Sequence, residues 1–190
     1  MIQQARAEDK YRRLVNAGAK MIHRLGFHRT KLSVVANEAG VPPGGLYYYF
    51  KTREELAHAV VRERAERIRK LTKKLSESRD SKKRLMALVD VWVDDRETDS
   101  LYGCPIGSLC YELAKGRTDL GRLAEEPFRV LLEWTEEQFR TLEDSSRRAR
   151  DLAVHLVSAL QGISLVANVF GDPKMILREA RHLKDWIGGL

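Results

Sequence analysis

An all-α chain of about nine helices is predicted here, on three observations. Apolar residues recur at three- and four-residue spacing along nearly the whole sequence, and no run alternates with a period of two for long enough to pair into a sheet. Gly26, Gly40 and the pair Pro42-Pro43 punctuate the first of these periodic runs. The composition, 43% hydrophobic and 32% charged, is too apolar for a disordered chain. With 190 residues there is room for one helical body of ordinary domain size and a small module of roughly 50 residues.

The first helix is expected over about residues 7–25, with Leu14, Ala17, Met21 and Leu25 on one face and Gly26 as the left-handed residue that ends it. A short second helix spans about 32–39 and stops at Gly40. Val41 and the pair Pro42-Pro43 then suit the first turn of a third helix, 43–50. Lys51 and Thr52 break it, and Thr52 with Glu55 reads as a capping box that opens a long fourth helix to about residue 75. After a polar connector at 76–81, helices are expected near 82–96, 105–115, 126–143, 146–170 and 173–187. The apolar stretch 152–170 has the length of a membrane span. His155, Ser158, Gln161, Ser164 and Asn168 interrupt it, so a buried helix is expected and no membrane partner.

Charge divides the chain in two. Residues 1–84 hold 21 Lys and Arg against 9 Asp and Glu, a surplus of 12, whereas residues 85–190 hold 13 against 18, a deficit of 5. The amino-terminal part therefore faces a polyanion. Its basic residues are not gathered opposite a Trp/Leu/Phe face, as an interfacial membrane helix requires, so the expected polyanion is nucleic acid. Two short helices joined by Ala39-Gly40-Val41 match helix-turn-helix punctuation, in which a small residue permits close approach and glycine permits the turn. Such a motif places its second helix in the major groove while flanking residues grip phosphates.

The ordered matches go further than punctuation. Gly26-Phe27-His28-Arg29-Thr30, then Ala36-Asn37-Glu38-Ala39-Gly40-Val41, then Gly44-Gly45-Leu46-Tyr47-Tyr48-Tyr49-Phe50-Lys51-Thr52-Arg53-Glu54-Glu55-Leu56 together resemble the amino-terminal domain of the tetracycline-repressor (TetR) family of regulators. The likeness covers about the first 60 residues; beyond them it is confined to the helical layout and to the stretch from Gly103-Cys104-Pro105 to Glu112-Leu113. It implies that Tyr47, Tyr48 and Tyr49 occupy the recognition helix, with Leu46 and Phe50 facing inward. Thr30 and Lys31 are implied to touch the backbone at the second helix, and Lys51 and Arg53 at the start of the fourth. Two positions depart from the family, which usually has Lys or Arg where Pro43 stands and Ser or Thr at Gly45. Base reading would then rest on backbone approach at Gly44 and Gly45, on the tyrosines and on DNA shape, with a less strict sequence preference.

The carboxy-terminal part carries no Gly-rich phosphate loop, HExxH or GxSxG, so neither catalysis nor a cofactor is expected. Cys104 and Cys110 are six residues apart, about 120° around a helix, which favours neither a local disulfide nor a two-thiolate metal site. The family resemblance implies a pocket here for a small apolar or aromatic effector whose occupancy moves the DNA-reading heads. Trp92, Tyr111, Phe128 and Trp134 are its candidate lining. Leu152, Leu156, Ala159, Ile163 and Val166 form one apolar stripe and Ile176, Ala180, Leu183 and Ile187 another, and two such stripes from each subunit would build a four-helix dimer interface.

The expectation is a DNA-binding domain over residues 1–56 and an effector-binding and dimerisation domain over 57–190, joined inside the fourth helix. Together they make a homodimeric regulator, a repressor that leaves a pseudo-palindromic operator when its effector binds. With only two cysteines and no signal-peptide pattern, the cytoplasm is its expected location. Two rivals are a constitutive architectural DNA binder and a regulator in which Cys104 or Cys110 senses electrophiles or oxidants.

Overall fold

The computed structural model describes residues 2–116 and 118–190, and the side chains of all of these except Ile2, Gln3 and Pro43. Among the described residues every regular element is a helix: α1 Ile2–Leu25, α2 Leu32–Ala39, α3 Pro43–Tyr49, α4 Arg53–Leu75, α5 Ser81–Asp94, α6 Arg96–Tyr102, α7 Gly107–Ala114, α8 Asp119–Leu123, α9 Glu125–Arg140, α10 Ser146–Phe170 and α11 Pro173–Gly189. All nine expected helices are present. The two short additions, α6 and α8, have seven and five residues, too few turns to show a period in the sequence. The chain forms two compact units, one of residues 1–65 and 108–126, the other of 66–107 and 127–190.

The first unit is built on α1. Leu14, Val15, Met21 and Ile22 are buried, and α2 packs on this helix with Val35, Ala36 and Ala39. Both turns that set up the motif use left-handed glycines, Gly26 at φ 83° and Gly40 at φ 60°. The Arg13 guanidinium donates to the Ala39 carbonyl, which closes the end of α2. At the start of α4 the Thr52 hydroxyl accepts from the Glu55 N–H at 3.1 Å, while the Glu55 carboxylate reaches back to the N–H of Lys51, one residue beyond the usual capping partner.

Gly18 sits where α1 meets α4. A Cβ there would lie 2.9 Å from Leu56 Cδ1 and 3.1 Å from its Cγ, and Leu56 is fully buried. Gly18→Val is therefore expected to cost about 1–3 kcal/mol through overpacking. The measurement is the thermal midpoint of unfolding; an unchanged midpoint would mean that Leu56 has room to yield.

The second unit has one continuous core, in which Leu85, Leu88, Val89, Leu131, Phe139, Leu156, Leu160 and Ile187 are all but excluded from solvent. Helix α11 packs on α5, α6 and α10, and α10 packs on α6. The helices begin where side chains cap them: Asp80 accepts from Lys83 N–H, Ser145 from Arg148 N–H, and Asp172 from Lys174 N–H ahead of α11 with Pro173 in its first turn. Arg84 of α5 is tied into the unit by two hydrogen bonds. It donates to the Ser78 carbonyl at 2.6 Å and to Oε1 of Gln138 at 2.9 Å.

Candidate nucleic-acid interface

Helix α3 is short and contains two glycines, so its own propensity cannot sustain it. Proline at its first position presets the backbone, and the buried Leu46 and Phe50 anchor it. This anchoring turns Tyr47 and Tyr48 outward, 49% and 78% exposed. Gly44 is exposed with nothing near its Cα to obstruct a phosphate or base edge, and Gly45 is half-buried against Val41. The side chain of Pro43 lies outside the described residues. Lys31 and Lys51 flank the helix and are both exposed.

The remaining expected DNA contacts have work inside the unit. Thr30 is only 2% exposed, and its hydroxyl donates to the Gly26 carbonyl at 2.8 Å. The Tyr49 hydroxyl donates to the Ala7 carbonyl at 3.1 Å, and its ring packs on Tyr11. Arg53 donates to the His28 carbonyl at 2.6 Å, and its guanidinium lies 4.5 Å over the Phe27 ring. These three side chains fix the geometry of the head. A polar residue beside a recognition helix can serve the fold or the phosphate, and spacing in the sequence does not separate the two uses.

Glu112 is the residue that sequence reasoning passed over. From α7 its carboxylate accepts from the N–H of Phe27 at 3.0 Å and of His28 at 3.4 Å, so it satisfies backbone donors in the turn after α1. Its signal was present in the Gly103 to Leu113 likeness, but a lone glutamate on a half-exposed helix carries no indication of a partner so far back in the chain.

The expected effector lining divides. Trp92 and Trp134 belong to the core of the second unit and the partly buried Phe128 packs against it, whereas Tyr111 belongs to the first unit and is 66% exposed, with Lys115 over its ring. Trp134 donates from Nε1 to the Ser76 hydroxyl at 2.9 Å, so its polar edge is used. Of the expected dimer stripes, Ile176, Ala180, Leu183 and Ile187 are buried within the single chain, as is Leu156. Leu152, Ala159 and Ile163 are half-buried and Val166 is exposed. The outer face of α10 carries instead Val154, Ser158, Gly162, Leu165, Val169 and Phe170, all exposed. The two faces of α10 are about equally apolar in sequence, and which of them packs on α6 and α11 is decided only in three dimensions.

A buried two-helix corner, a short second helix with outward tyrosines, and exposed lysines on either side make this a helix-turn-helix transcriptional regulator. Residues 14–60 match the family profile described as "Bacterial regulatory proteins, tetR family", and residues 81–182 match that of "Transcriptional regulator LmrA/YxaF-like, C-terminal domain". The chain belongs to the TetR family of transcriptional regulators. It is similar to an uncharacterized HTH-type transcriptional regulator of Mycobacterium tuberculosis, at 31% identity over 90% of this chain and 92% of that one. It is similar as well to the HTH-type transcriptional regulator LmrA of Bacillus subtilis, at 26% identity over 81% and 84% of the two chains. In fold it matches a TetR-family regulator from Streptomyces coelicolor, with a TM-score of 0.81 at 18% identity, covering 95% of this chain and 94% of that one.

Proposed function

We propose that this chain is a homodimeric repressor that binds a pseudo-palindromic operator and leaves it when a small molecule occupies the carboxy-terminal body. Residues 1–56 act as the DNA-binding domain and residues 57–190 as the effector-binding and dimerisation domain. The cytoplasm, where bacterial DNA lies, is its place of action. The observation that carries the reading is the outer face of α10. Leu165, Val169 and Phe170 are 64%, 71% and 70% exposed, beside a glycine at position 162 with nothing within 4 Å of it. So large an apolar face on a charged, DNA-binding chain calls for a cover, and a second copy supplies one whose two-fold symmetry matches a two-fold operator.

Tyr47 and Tyr48 meet bases and sugar-phosphate in this reading, Gly44 and Gly45 allow close backbone approach, and Lys31 and Lys51 hold phosphates. Helix α4 runs without a break through residues of both compact units. An effector releases DNA only in so far as it binds better to the arrangement that does not fit the operator.

The test is selection of bound sequences from random DNA, followed by a salt titration with the selected duplex. A palindrome and a dimer by sedimentation are expected. Val169→Glu is expected to give monomers with at least tenfold weaker operator binding. Lys51→Ala is expected to lower the slope of log K against log salt by about 0.9, the contribution of one phosphate contact. Unpaired half-sites, or a monomer that binds as tightly as the parent chain, would overturn the dimeric reading.

A thiolate sensor is disfavoured by the setting of Cys104, since burial pushes that thiol up from its ordinary value and so works against the reactive form. The architectural binder differs from the proposal in one measurable respect, indifference of its DNA affinity to every small ligand that binds the chain.

A further inference from the structure

The long apolar helix α10 carries a polar row. Gln161, Ser164 and Asn168 are three and four residues apart and so share one side of α10. Two of them meet α6. Asn168 Nδ2 donates to the Ser100 carbonyl at 3.2 Å, and the Ser164 hydroxyl donates to Oδ2 of Asp99 at 2.8 Å. Gln161, one turn earlier, presses on Gly107 and lies against the Cys104 thiol. Ser164 is fully buried and Asp99 is 2% exposed.

A buried carboxyl group is costly to hold, and the cost is borne only where its oxygens are satisfied. Here one oxygen is satisfied and the other is not. Asp99 Oδ1 has no hydrogen-bond partner among the described residues, and neither has Nε2 of Gln161. Trp92 Nε1, in the same core as Cys104 and Leu160, is a third such atom. An unmet acceptor and an unmet donor on neighbouring turns of facing helices are what a site for a polar ligand presents, whereas a core built for stability alone would bury apolar side chains there.

We infer that Asp99 and Gln161 form the polar end of the effector site, and that the effector is an apolar or aromatic frame bearing an amine or hydroxyl donor for Asp99 and an acceptor for Gln161. This rests on the proposed effector binding by the carboxy-terminal body and names the chemistry that body selects. Carboxylates, phosphates and sulfonates are refused, because Asp99 would face a like charge in a dry site. Burial disfavours the charged Asp99 carboxylate, and an ammonium group beside it offsets that penalty, so an amine is preferred to an alcohol.

Four probes with one frame and different heads test this: 4-phenylbutylamine, 4-phenylbutanol, butylbenzene and 4-phenylbutyrate. Each is titrated calorimetrically into the full chain and scored separately for release of the selected duplex. The amine is expected to bind about tenfold or more tighter than butylbenzene, the scale of one charge-assisted hydrogen bond, and the carboxylate no tighter than the hydrocarbon. Asp99→Asn keeps an acceptor for Ser164 and is expected to erase the amine's advantage. Ser164→Ala, which removes the internal hydrogen bond and leaves the carboxyl, is expected to keep it. Circular dichroism confirms that each variant is folded. Equal binding of all four probes, binding of none, or a ranking untouched by Asp99→Asn overturns the inference. If the amine binds through Asp99 and DNA stays bound, the inference stands and release by effector falls. If butylbenzene releases DNA as well as the amine does, in parent and variant alike, the reverse holds.

Discussion

Leu46→Ala is expected to abolish DNA binding while leaving most of the helical signal intact. Leu46 is 1% exposed, and among the described side chains its buried companion is Phe50, just past the end of the helix. Helix α3 has seven residues, two of them glycine, well short of the roughly 12–15 at which an isolated helix becomes even marginal in water. Truncating a buried leucine costs about 2–5 kcal/mol, and this one loses its contribution where nothing local can compensate. Tyr47 and Tyr48 would then have no fixed direction. The comparison is Tyr48→Ala, at a position 78% exposed, where stability should stay within about 0.5 kcal/mol of the parent while DNA affinity falls. Fluorescence anisotropy on the selected duplex and thermal melts separate the two outcomes. A Leu46→Ala chain that binds DNA normally would show that α3 is held by something other than its buried face.

The second large effect is on stability against pH, at Asp99. Its carboxyl is raised to about 6 from an ordinary 3.8, first by burial and then by the neighbouring charge of Asp95, with the Ser164 hydrogen bond opposing both. The folded chain therefore holds this proton at a pH where the unfolded chain has lost it. The associated stability is fully present below about pH 4, declines as pH rises, and is gone above about pH 6. Its size, at 1.36 kcal/mol per pH unit, is about 3 kcal/mol, a sizeable share of the 5–15 kcal/mol that holds a typical domain together. Asp99→Asn cannot ionise. Between pH 4 and pH 7.5 the parent is expected to lose about 3 kcal/mol relative to this variant in urea unfolding. Parallel profiles for the two chains would mean that the carboxyl is better solvated than its 2% exposure implies.

Helical periodicity, the glycines at 26 and 40 and the prolines at 42 and 43 were enough to locate every long helix and the motif they frame, because each acts within a few residues of itself. The use each side chain is put to depends on contacts that spacing does not name. Thr30, Tyr49 and Arg53 carry the polar groups expected of phosphate contacts, yet their partners are the carbonyls of Gly26, Ala7 and His28. The stripe Ile176, Ala180, Leu183 and Ile187 was legible as a buried face, but periodicity does not say whether the burying surface is another subunit or the same one. Asp99 was invisible for a related reason. An aspartate in the polar sequence around it reads as solvated, and only the placement of α6 under α10 buries it against Ser164.

The inward turning of Thr30, Tyr49 and Arg53 has an evolutionary corollary. The side chains that hold the head in shape and those left pointing outward, Tyr47 and Tyr48 with Lys31 and Lys51, are different sets. If the outward set reads DNA as proposed, a lineage can change the sequence it recognises by drifting at those positions without first acquiring compensating stability. In the laboratory, the same division marks residues 44, 47 and 48 as the places to randomise when a new operator is wanted.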